Sequence, residues 1–112
     1  MTDYYSIESK EIEFQEATFR LFLVRDCEVY KGHFPKHAIA PGACNIEMIR
    51  QCASVALGKE VRFLHIKQCK FLLPLEPSVH EELDLCLAWT ETMINAVMSW
   101  KGQVAIKLKV NM

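Results

Sequence analysis

Two residues near the middle of the chain could exchange protons with a substrate, and they stand 14 positions apart. His33 belongs to the segment Gly32-His33-Phe34-Pro35, and Glu47 follows the dipeptide Pro41-Gly42. Histidine has an unperturbed pKa of about 6.5, so His33 can take or give a proton near neutral pH. A glutamate inside an otherwise apolar helix can have a raised pKa and act as a proton donor. The pair therefore offers a base and an acid.

The dipeptide Pro41-Gly42 adds backbone donors, because it is a typical helix start. The first N–H groups of a helix have no partner within it, and a ligand oxygen can approach them closely at Gly42, which has no side chain. The positive end of the helix dipole favours an oxygen that gains negative charge. Each feature alone is more often structural, since loop histidines are usually hydrogen-bonded, helical glutamates usually face water, and Pro-Gly is usually a turn.

A helix is predicted from Ala43 to Leu57. Its polar residues recur at i, i+3, i+4 and i+7, which places them on one narrow stripe, while apolar residues cover the rest of the circumference. The stripe consists of Glu47, Arg50, Gln51 and Ser54. Gly58 follows as a stop signal. We expect a helix that is buried on several sides, with its stripe facing something polar.

The remaining segments are predicted to be extended, because apolar and polar residues alternate along them. The predicted strands are Lys10–Ala17, Thr18–Val24, Val61–Leu73, Leu83–Trp89, Met93–Trp100 and Val104–Val110. Lys101-Gly102 is a predicted hairpin turn, and Pro74 and Pro77 mark a loop. One helix and these strands predict an α+β fold, in which an antiparallel sheet wraps around one long central helix. Dimerisation through an edge strand would cover an exposed edge of that sheet.

Composition limits the class of protein. The chain has 112 residues, of which 51% are hydrophobic and 24% charged, and this fits a single domain spanning residues 1–112. A net charge of −1 gives no general attraction to nucleic acid or anionic membranes. Five cysteines without a C-x-x-C pair fit neither a disulfide framework nor a zinc knuckle. Met1 to Lys10 lacks the pattern of a signal peptide and no apolar run is long enough for a membrane span, so we expect a cytoplasmic protein.

The spacing of the motif resembles that of a known family. Gly-His-Phe-Pro, five residues, Pro-Gly, four residues, Glu, three residues and Gln is the pattern over residues 32–51. It resembles the 3-hydroxyacyl-[acyl-carrier-protein] dehydratases of the hotdog superfamily, and residues 70–87 are similar to that family in register. The resemblance implies a hotdog fold and a homodimer with active sites shared between subunits. It also implies conversion of a 3-hydroxyacyl thioester, carried on phosphopantetheine, to the trans-2-enoyl thioester in fatty-acid or polyene-like synthesis, with no metal or redox cofactor.

The resemblance implies three direct roles in that reaction. His33 would remove the proton from the carbon between the thioester and the hydroxyl-bearing carbon. Glu47, contributed by the other subunit, would assist departure of the hydroxyl as water. The N–H of Gly42 would hold the thioester oxygen and stabilise enolate-like charge.

Supporting roles follow from the same resemblance. The backbone carbonyl near Ile39 would orient the imidazole, and Gln51 would support the carboxylate one helical turn after it. The wall of the substrate tunnel would be shaped by Phe34, Pro35 and Pro41.

An acidic acyl carrier protein would need a basic landing surface. Basic residues cluster between positions 31 and 70, with Lys36 and Arg62 as the possible contacts; ordinary solvated surface is the equal alternative. The cluster contains Lys31, Lys36, Arg50, Lys59, Arg62, Lys67 and Lys70. Two other functions share the fold: a hotdog acyl thioesterase and a non-catalytic acyl-binding dimer. The presence of both His33 and Glu47 favours dehydration over either.

Other polar and sulfur-containing residues are interpreted as structural. His33 and His37 have the spacing of a helical metal pair, but Pro35 between them argues against a helix and hence against a metal site. Cys44 and Cys52 are expected to pack in the core rather than act as nucleophiles. Core or tunnel lining is expected for Met48, Met93 and Met98.

Overall fold

The computed structural model describes residues 4–25, 27 and 39–112, which contain six strands and one helix. The elements are β1 (Tyr5–Glu13), β2 (Glu16–Leu23), α1 (Gly42–Leu57), β3 (His65–Phe71), β4 (Glu82–Trp89), β5 (Met93–Trp100) and β6 (Gln103–Asn111). All strand pairs are antiparallel, and the order across the sheet is β1-β2-β4-β5-β6-β3. The predicted α+β architecture, an antiparallel sheet with one long helix, is confirmed.

The core lies between one face of the sheet and one face of α1. Successive side chains of a strand point to opposite faces, and the alternating apolar residues of the central strands are buried. They include Phe19, Leu21, Leu83, Leu85, Ile94, Ala96, Met98, Ile106 and Leu108. On the helix, Met48, Ile49, Cys52 and Ala53 are buried in the same cluster. Met48 and Met98 are therefore core residues, whereas Met93 is half-buried.

The helix has the predicted ends but less burial than expected. Pro41 is its N-cap, and Gly58 ends it with φ 71°, a left-handed conformation that glycine adopts without strain. The prediction of burial on several sides is only partly right, because Val55 is 39% exposed. The buried face also holds a polar side chain, Asn45, which the stripe pattern did not indicate. No helix in the described ranges is long and apolar enough to cross a membrane.

The first strand begins earlier than predicted. The expectation of a strand over Lys10–Ala17 is wrong, because β1 ends at Glu13 and a two-residue turn, Phe14-Gln15, leads directly into β2. Phe14 continues the apolar alternation of the sequence, yet its side chain is 89% exposed at the turn. Gln15 has φ 61°, and glutamine gives no sequence signal for that conformation.

The other strands lie close to their predicted positions. The third is shorter than the predicted Val61–Leu73, since pairing with β6 begins only at His65 and ends at Phe71. The predicted hairpin turn at Lys101-Gly102 is confirmed, with φ 48° and 79° at its two residues. Positive φ at both positions is what a tight two-residue hairpin with the twist of its strands requires.

Candidate active site

The N-terminus of α1 opens onto a cleft of about 300 Å³. The cleft is lined by Ile39, Ala40, Gly42, Asn45, Phe71, Leu73, Pro74, Leu75 and Ile106. Backbone hydrogen bonds fix its walls: the N–H of Ala40 donates to the carbonyl of Leu75 at 2.6 Å, and the N–H of Leu72 donates to that of Ala105 at 2.7 Å. The segment before the helix, the end of β3 and the following loop thus form one apolar recess.

Gly42 stands at the mouth of this recess. Within the described part of the chain, no side chain caps the start of α1, and its first turn holds no acidic residue. A Cβ at position 42 would lie 2.8 Å from Cζ of Phe71, closer than carbon atoms approach without a shift. In this position the ring of Phe71 leaves no room for a Cβ at residue 42. The result is a helix N-terminus whose N–H groups are offered to a ligand oxygen at the positive end of the dipole.

Glu47 lies in the polar stripe of the helix, and two residues donate three hydrogen bonds to its carboxylate. Arg50 donates from Nε to Oε2 at 2.9 Å and from Nη2 to Oε1 at 2.5 Å, and Gln51 Nε2 donates to Oε1 at 3.3 Å. The guanidinium of Arg50 lowers the pKa of Glu47 below its ordinary value, in spite of partial burial. The expectation that an apolar setting raises this pKa is wrong for the chain, because Arg50 lies one turn away on the same face.

The rest of the stripe connects α1 to the segment that precedes β3 and to the edge strand β1. Arg50 Nη1 donates to the carbonyl of Val61 at 2.9 Å, and the N–H of Val61 donates to Ser54 Oγ at 3.0 Å. On the other side, the hydroxyl of Tyr5 donates to Gln51 Oε1 at 2.8 Å. Gln51 thus receives one hydrogen bond and passes one to Glu47, which is the contact that its predicted supporting role requires.

Glu47 and the cleft lie on different sides of the helix. Glu47 is five positions after Gly42, and at 3.6 residues per turn the directions of the two residues differ by about 140° around the helix axis. Glu47 is accordingly absent from the lining of the cleft. Within one chain, the Glu47 carboxylate therefore does not face the recess that Gly42 lines.

Several predicted site residues lie outside the described residues: His33, Phe34, Pro35 and Lys36. Ile39, expected to orient the imidazole through its carbonyl, lies at the cleft and is 46% exposed. Pro41, expected in the tunnel wall, caps α1 next to Gly42. Within the described ranges, no group of three or more His, Cys, Asp or Glu side chains could hold a metal ion.

Two residues of the cleft were missed by sequence reasoning. Phe71 was counted only as a strand residue, and its contact with Gly42 joins positions 29 residues apart. Asn45 sits at a buried position of an amphipathic helix, and an asparagine among apolar neighbours at that position was the available signal. Both residues stand directly at the helix N-terminus, where the predicted carbonyl-binding group lies.

Other candidate groups are structural. Burial raises the pKa of the Cys52 thiol to about 12, so it stays protonated at neutral pH, and burial likewise raises the pKa of Cys44. Both upward shifts suit packing rather than nucleophilic attack. His80 is buried, and its Nδ1 accepts a hydrogen bond from the N–H of Glu76 at 3.0 Å. Its ring packs edge-on against Trp100, with 4.6 Å between the two ring centroids.

Comparison with known proteins identifies the family. The model of the ApeI-like family, described as ApeI dehydratase, matches residues 8–107. The chain belongs to the ApeI-like dehydratase family. This confirms the predicted resemblance to the hotdog-superfamily 3-hydroxyacyl-[acyl-carrier-protein] dehydratases.

Curated proteins that are similar to this chain are named 3-hydroxyacyl-[acyl-carrier-protein] dehydratase FabZ. That of Novosphingobium aromaticivorans is 35% identical over 92 residues, covering 74% of this chain and 56% of that protein. That of Fusobacterium nucleatum is 40% identical over 55 residues, covering 45% of this chain and 39% of that protein. The chain thus spans about half the length of the curated relatives it matches.

Solved structures share the fold over nearly the whole chain. The dehydratase heterocomplex ApeI:P from Xenorhabdus doucetiae contains a chain with a TM-score of 0.82 and 26% identity, and 95% of each chain is covered. A protein from Erwinia carotovora subsp. atroseptica has a TM-score of 0.76 at 20% identity, covering 95% of this chain and 93% of that one. The predicted hotdog fold is confirmed.

Proposed function

We propose that this chain is a dehydratase that removes water from a 3-hydroxyacyl thioester and forms the trans-2-enoyl thioester. The observation that carries the proposal is the uncapped start of α1 at Gly42, which opens onto an apolar cleft. An acyl chain fits such a recess, and an N–H group at its mouth suits a thioester carbonyl that gains negative charge. The family of the chain supplies the reaction class.

In the proposed reaction, His33 takes the proton from the carbon next to the thioester. The electrons of that C–H bond form an enolate, whose oxygen is stabilised at the N–H of Gly42. The enolate then collapses to the carbon–carbon double bond while the bond from C3 to the hydroxyl breaks. Because Arg50 favours ionised Glu47, we assign the proton that completes the leaving water to the His33 imidazolium. Glu47 orients the hydroxyl by accepting its hydrogen bond.

The proposed enzyme is a homodimer with two shared sites. β3 is an edge strand, and exposed apolar side chains lie within it and directly before and after it. They are Leu64 at 72%, Ile66 at 44%, Phe71 at 53% and Leu72 at 53% exposed. Pairing of a second chain along this edge would cover these side chains and bring its Glu47 toward the cleft. The similar Xenorhabdus doucetiae dehydratase is a heterocomplex, so light scattering of the pure chain decides the composition: a homodimer has twice its 12.9 kDa mass.

The proposed substrate is carried by acyl carrier protein, with phosphopantetheine as its arm and no other cofactor. Arg62 is exposed between the end of α1 and β3, near Lys59, in the basic cluster. We expect Arg62→Glu to weaken binding of the acidic carrier and to spare turnover of a pantetheine thioester. Lys10→Glu, on the opposite edge of the sheet, is the matched control. Equal loss on both substrates would contradict this landing surface.

The cellular setting is part of the same proposal. All five cysteines are free thiols, as is usual in a reducing compartment. We therefore propose that the reaction takes place in the cytoplasm, within the synthesis of fatty-acid or polyene-like acyl chains.

The reaction class is tested with a short trans-2-enoyl pantetheine thioester. Loss of the conjugated absorbance and release of free thiol are followed together, in the wild-type protein and in His33→Ala. Reversible loss of absorbance without thiol, abolished in the variant, is expected for a dehydratase. Thiol release would identify a thioesterase instead, and binding without either change would identify a non-catalytic acyl-binding protein.

A further inference from the structure

We propose that Asn45 is a binding residue for the acyl substrate and donates a hydrogen bond from its side-chain amide to an oxygen of the 3-hydroxyacyl group. The inference rests on the proposed function and adds a residue to it. Asn45 lines the cleft at the N-terminus of α1 and is only 3% exposed. It is therefore a buried polar side chain at the wall of an otherwise apolar recess.

The two ends of this amide have different surroundings. Oδ1 accepts a hydrogen bond from the hydroxyl of Tyr4 at 2.5 Å, and Tyr4 is fully buried. This contact fixes the plane of the amide and leaves Nδ2 as the free end. Among the described residues, no group accepts a hydrogen bond from Nδ2. Buried amide donors are nearly always paired, so an unpaired one beside a cleft indicates a partner that arrives with a ligand.

The position of Asn45 selects the kind of oxygen that it can bind. Its backbone N–H donates to the carbonyl of Pro41 at 3.0 Å, which places the residue in the first turn of the helix, beside Gly42. A 3-hydroxyacyl thioester presents two acceptor oxygens close together, the thioester carbonyl and the hydroxyl on C3. Either oxygen would satisfy Nδ2 while the rest of the acyl group contacts the apolar walls. A ligand without a polar oxygen near its head would leave the donor unpaired.

The experiment measures binding rather than turnover. The probes are two pantetheine derivatives in which an amide replaces the thioester, one carrying a 3-hydroxybutyryl group and the other a butyryl group. Their dissociation constants are measured by calorimetry for the wild-type chain, for Asn45→Leu and for Tyr4→Phe. The leucine side chain has nearly the same volume but cannot donate, whereas Tyr4→Phe removes the contact to Oδ1 and keeps the Asn45 amide.

Asn45→Leu is expected to weaken binding of the 3-hydroxybutyryl probe about tenfold, which corresponds to roughly 1.4 kcal/mol, and Tyr4→Phe is expected to weaken it by less than about threefold. If Asn45→Leu weakens the binding of both probes equally, the oxygen that Nδ2 binds is the carbonyl. If only the binding of the hydroxylated probe is weakened, that oxygen is the hydroxyl on C3. Equal losses in the two variants would assign Asn45 a structural role and overturn the proposal.

A second measurement uses only the wild-type chain and does not depend on the folding of a variant. The side-chain N–H₂ signals of Asn45 are assigned through their own Cβ by NMR, and we expect one of them to move downfield when the hydroxylated probe binds. Binding without any change in these signals would overturn the role of Asn45 and leave the dehydratase proposal intact. Failure of both probes to bind the wild-type chain would overturn the two proposals together.

Discussion

Gly42→Ala tests whether a ligand oxygen meets the start of α1. The new Cβ would lie 2.8 Å from Cζ of Phe71 and 3.3 Å from its two Cε atoms. The Phe71 side chain is 53% exposed, so its ring can turn away from the new methyl group. The cost should therefore be at the low end of the roughly 1–3 kcal/mol that is typical of overpacking. Alanine is favoured over glycine in a helix by up to about 1 kcal/mol. The two effects oppose each other, and the free energy of unfolding should change by less than about 1 kcal/mol.

Activity should respond far more strongly than stability. The methyl group would stand where the thioester oxygen approaches the N–H of residue 42, and loss of one such donor typically lowers the rate about 100-fold or more. The assay is hydration of the enoyl pantetheine thioester, with thermal unfolding of the same preparation. We expect kcat/KM to fall about 100-fold while Tm changes by less than about 8 °C.

Two further variants separate the causes. Gly42→Ala combined with Phe71→Ala leaves room for the methyl group but keeps it over the N–H, so activity should stay low. Gly58→Ala meets no atom within 4 Å but has φ 71°, so it should cost about 1 kcal/mol of stability and leave activity unchanged. Near-wild-type activity in Gly42→Ala, or recovery in the double variant, would refute the assignment of the helix start as the carbonyl-binding group.

Three other predictions follow from local contacts. Arg50→Met should raise the pKa of Glu47 and move the acidic limb of the pH–rate profile upward. Since Glu47 has a depressed pKa when folded, the part of the lost stability that comes from the ion pair, under about 1 kcal/mol, should vanish as the pH falls through that pKa, whereas the part that comes from the hydrogen bond to the Val61 carbonyl should remain; a stability deficit that does not change with pH would contradict the ion pair. Native-state alkylation followed by mass spectrometry should label the exposed Cys86 and leave Cys52, whose pKa is about 12, until the chain unfolds; equal labelling would contradict its burial. Gln15→Asn should raise stability in thermal unfolding by about 0.5 kcal/mol because asparagine tolerates the left-handed backbone at φ 61°, and a loss would show that the glutamine side chain contributes more.

Much of the fold could be predicted because it depends on local patterns. The alternation in β4, β5 and β6 matched their positions closely, since one face of each strand is buried and the other is not. Pro41 and Gly58 marked the ends of α1 because their backbone preferences act locally. The strand predicted over Lys10–Ala17 was wrong because of Phe14. An apolar residue at an exposed turn gives the same sequence signal as an apolar residue in a strand.

The site was less predictable because its contacts are long-range. The ring of Phe71 over Gly42 and the hydroxyl of Tyr4 on Asn45 join residues 29 and 41 positions apart. No helical or strand period contains that information. The pairing of Glu47 with Arg50 was different, since the i, i+3 spacing was visible in the sequence and indicates an ion pair that lowers the carboxyl pKa.

The most direct test of the shared active site is to mix two inactive variants. His33→Ala and Glu47→Gln are each expected to lose nearly all turnover while remaining folded dimers. After subunit exchange at equal amounts, half of the dimers are mixed and carry one intact site of two, so about a quarter of the wild-type activity should return. No recovery after verified exchange, or substantial activity in either variant alone, would contradict a dehydratase site built from His33 of one chain and Glu47 of the other.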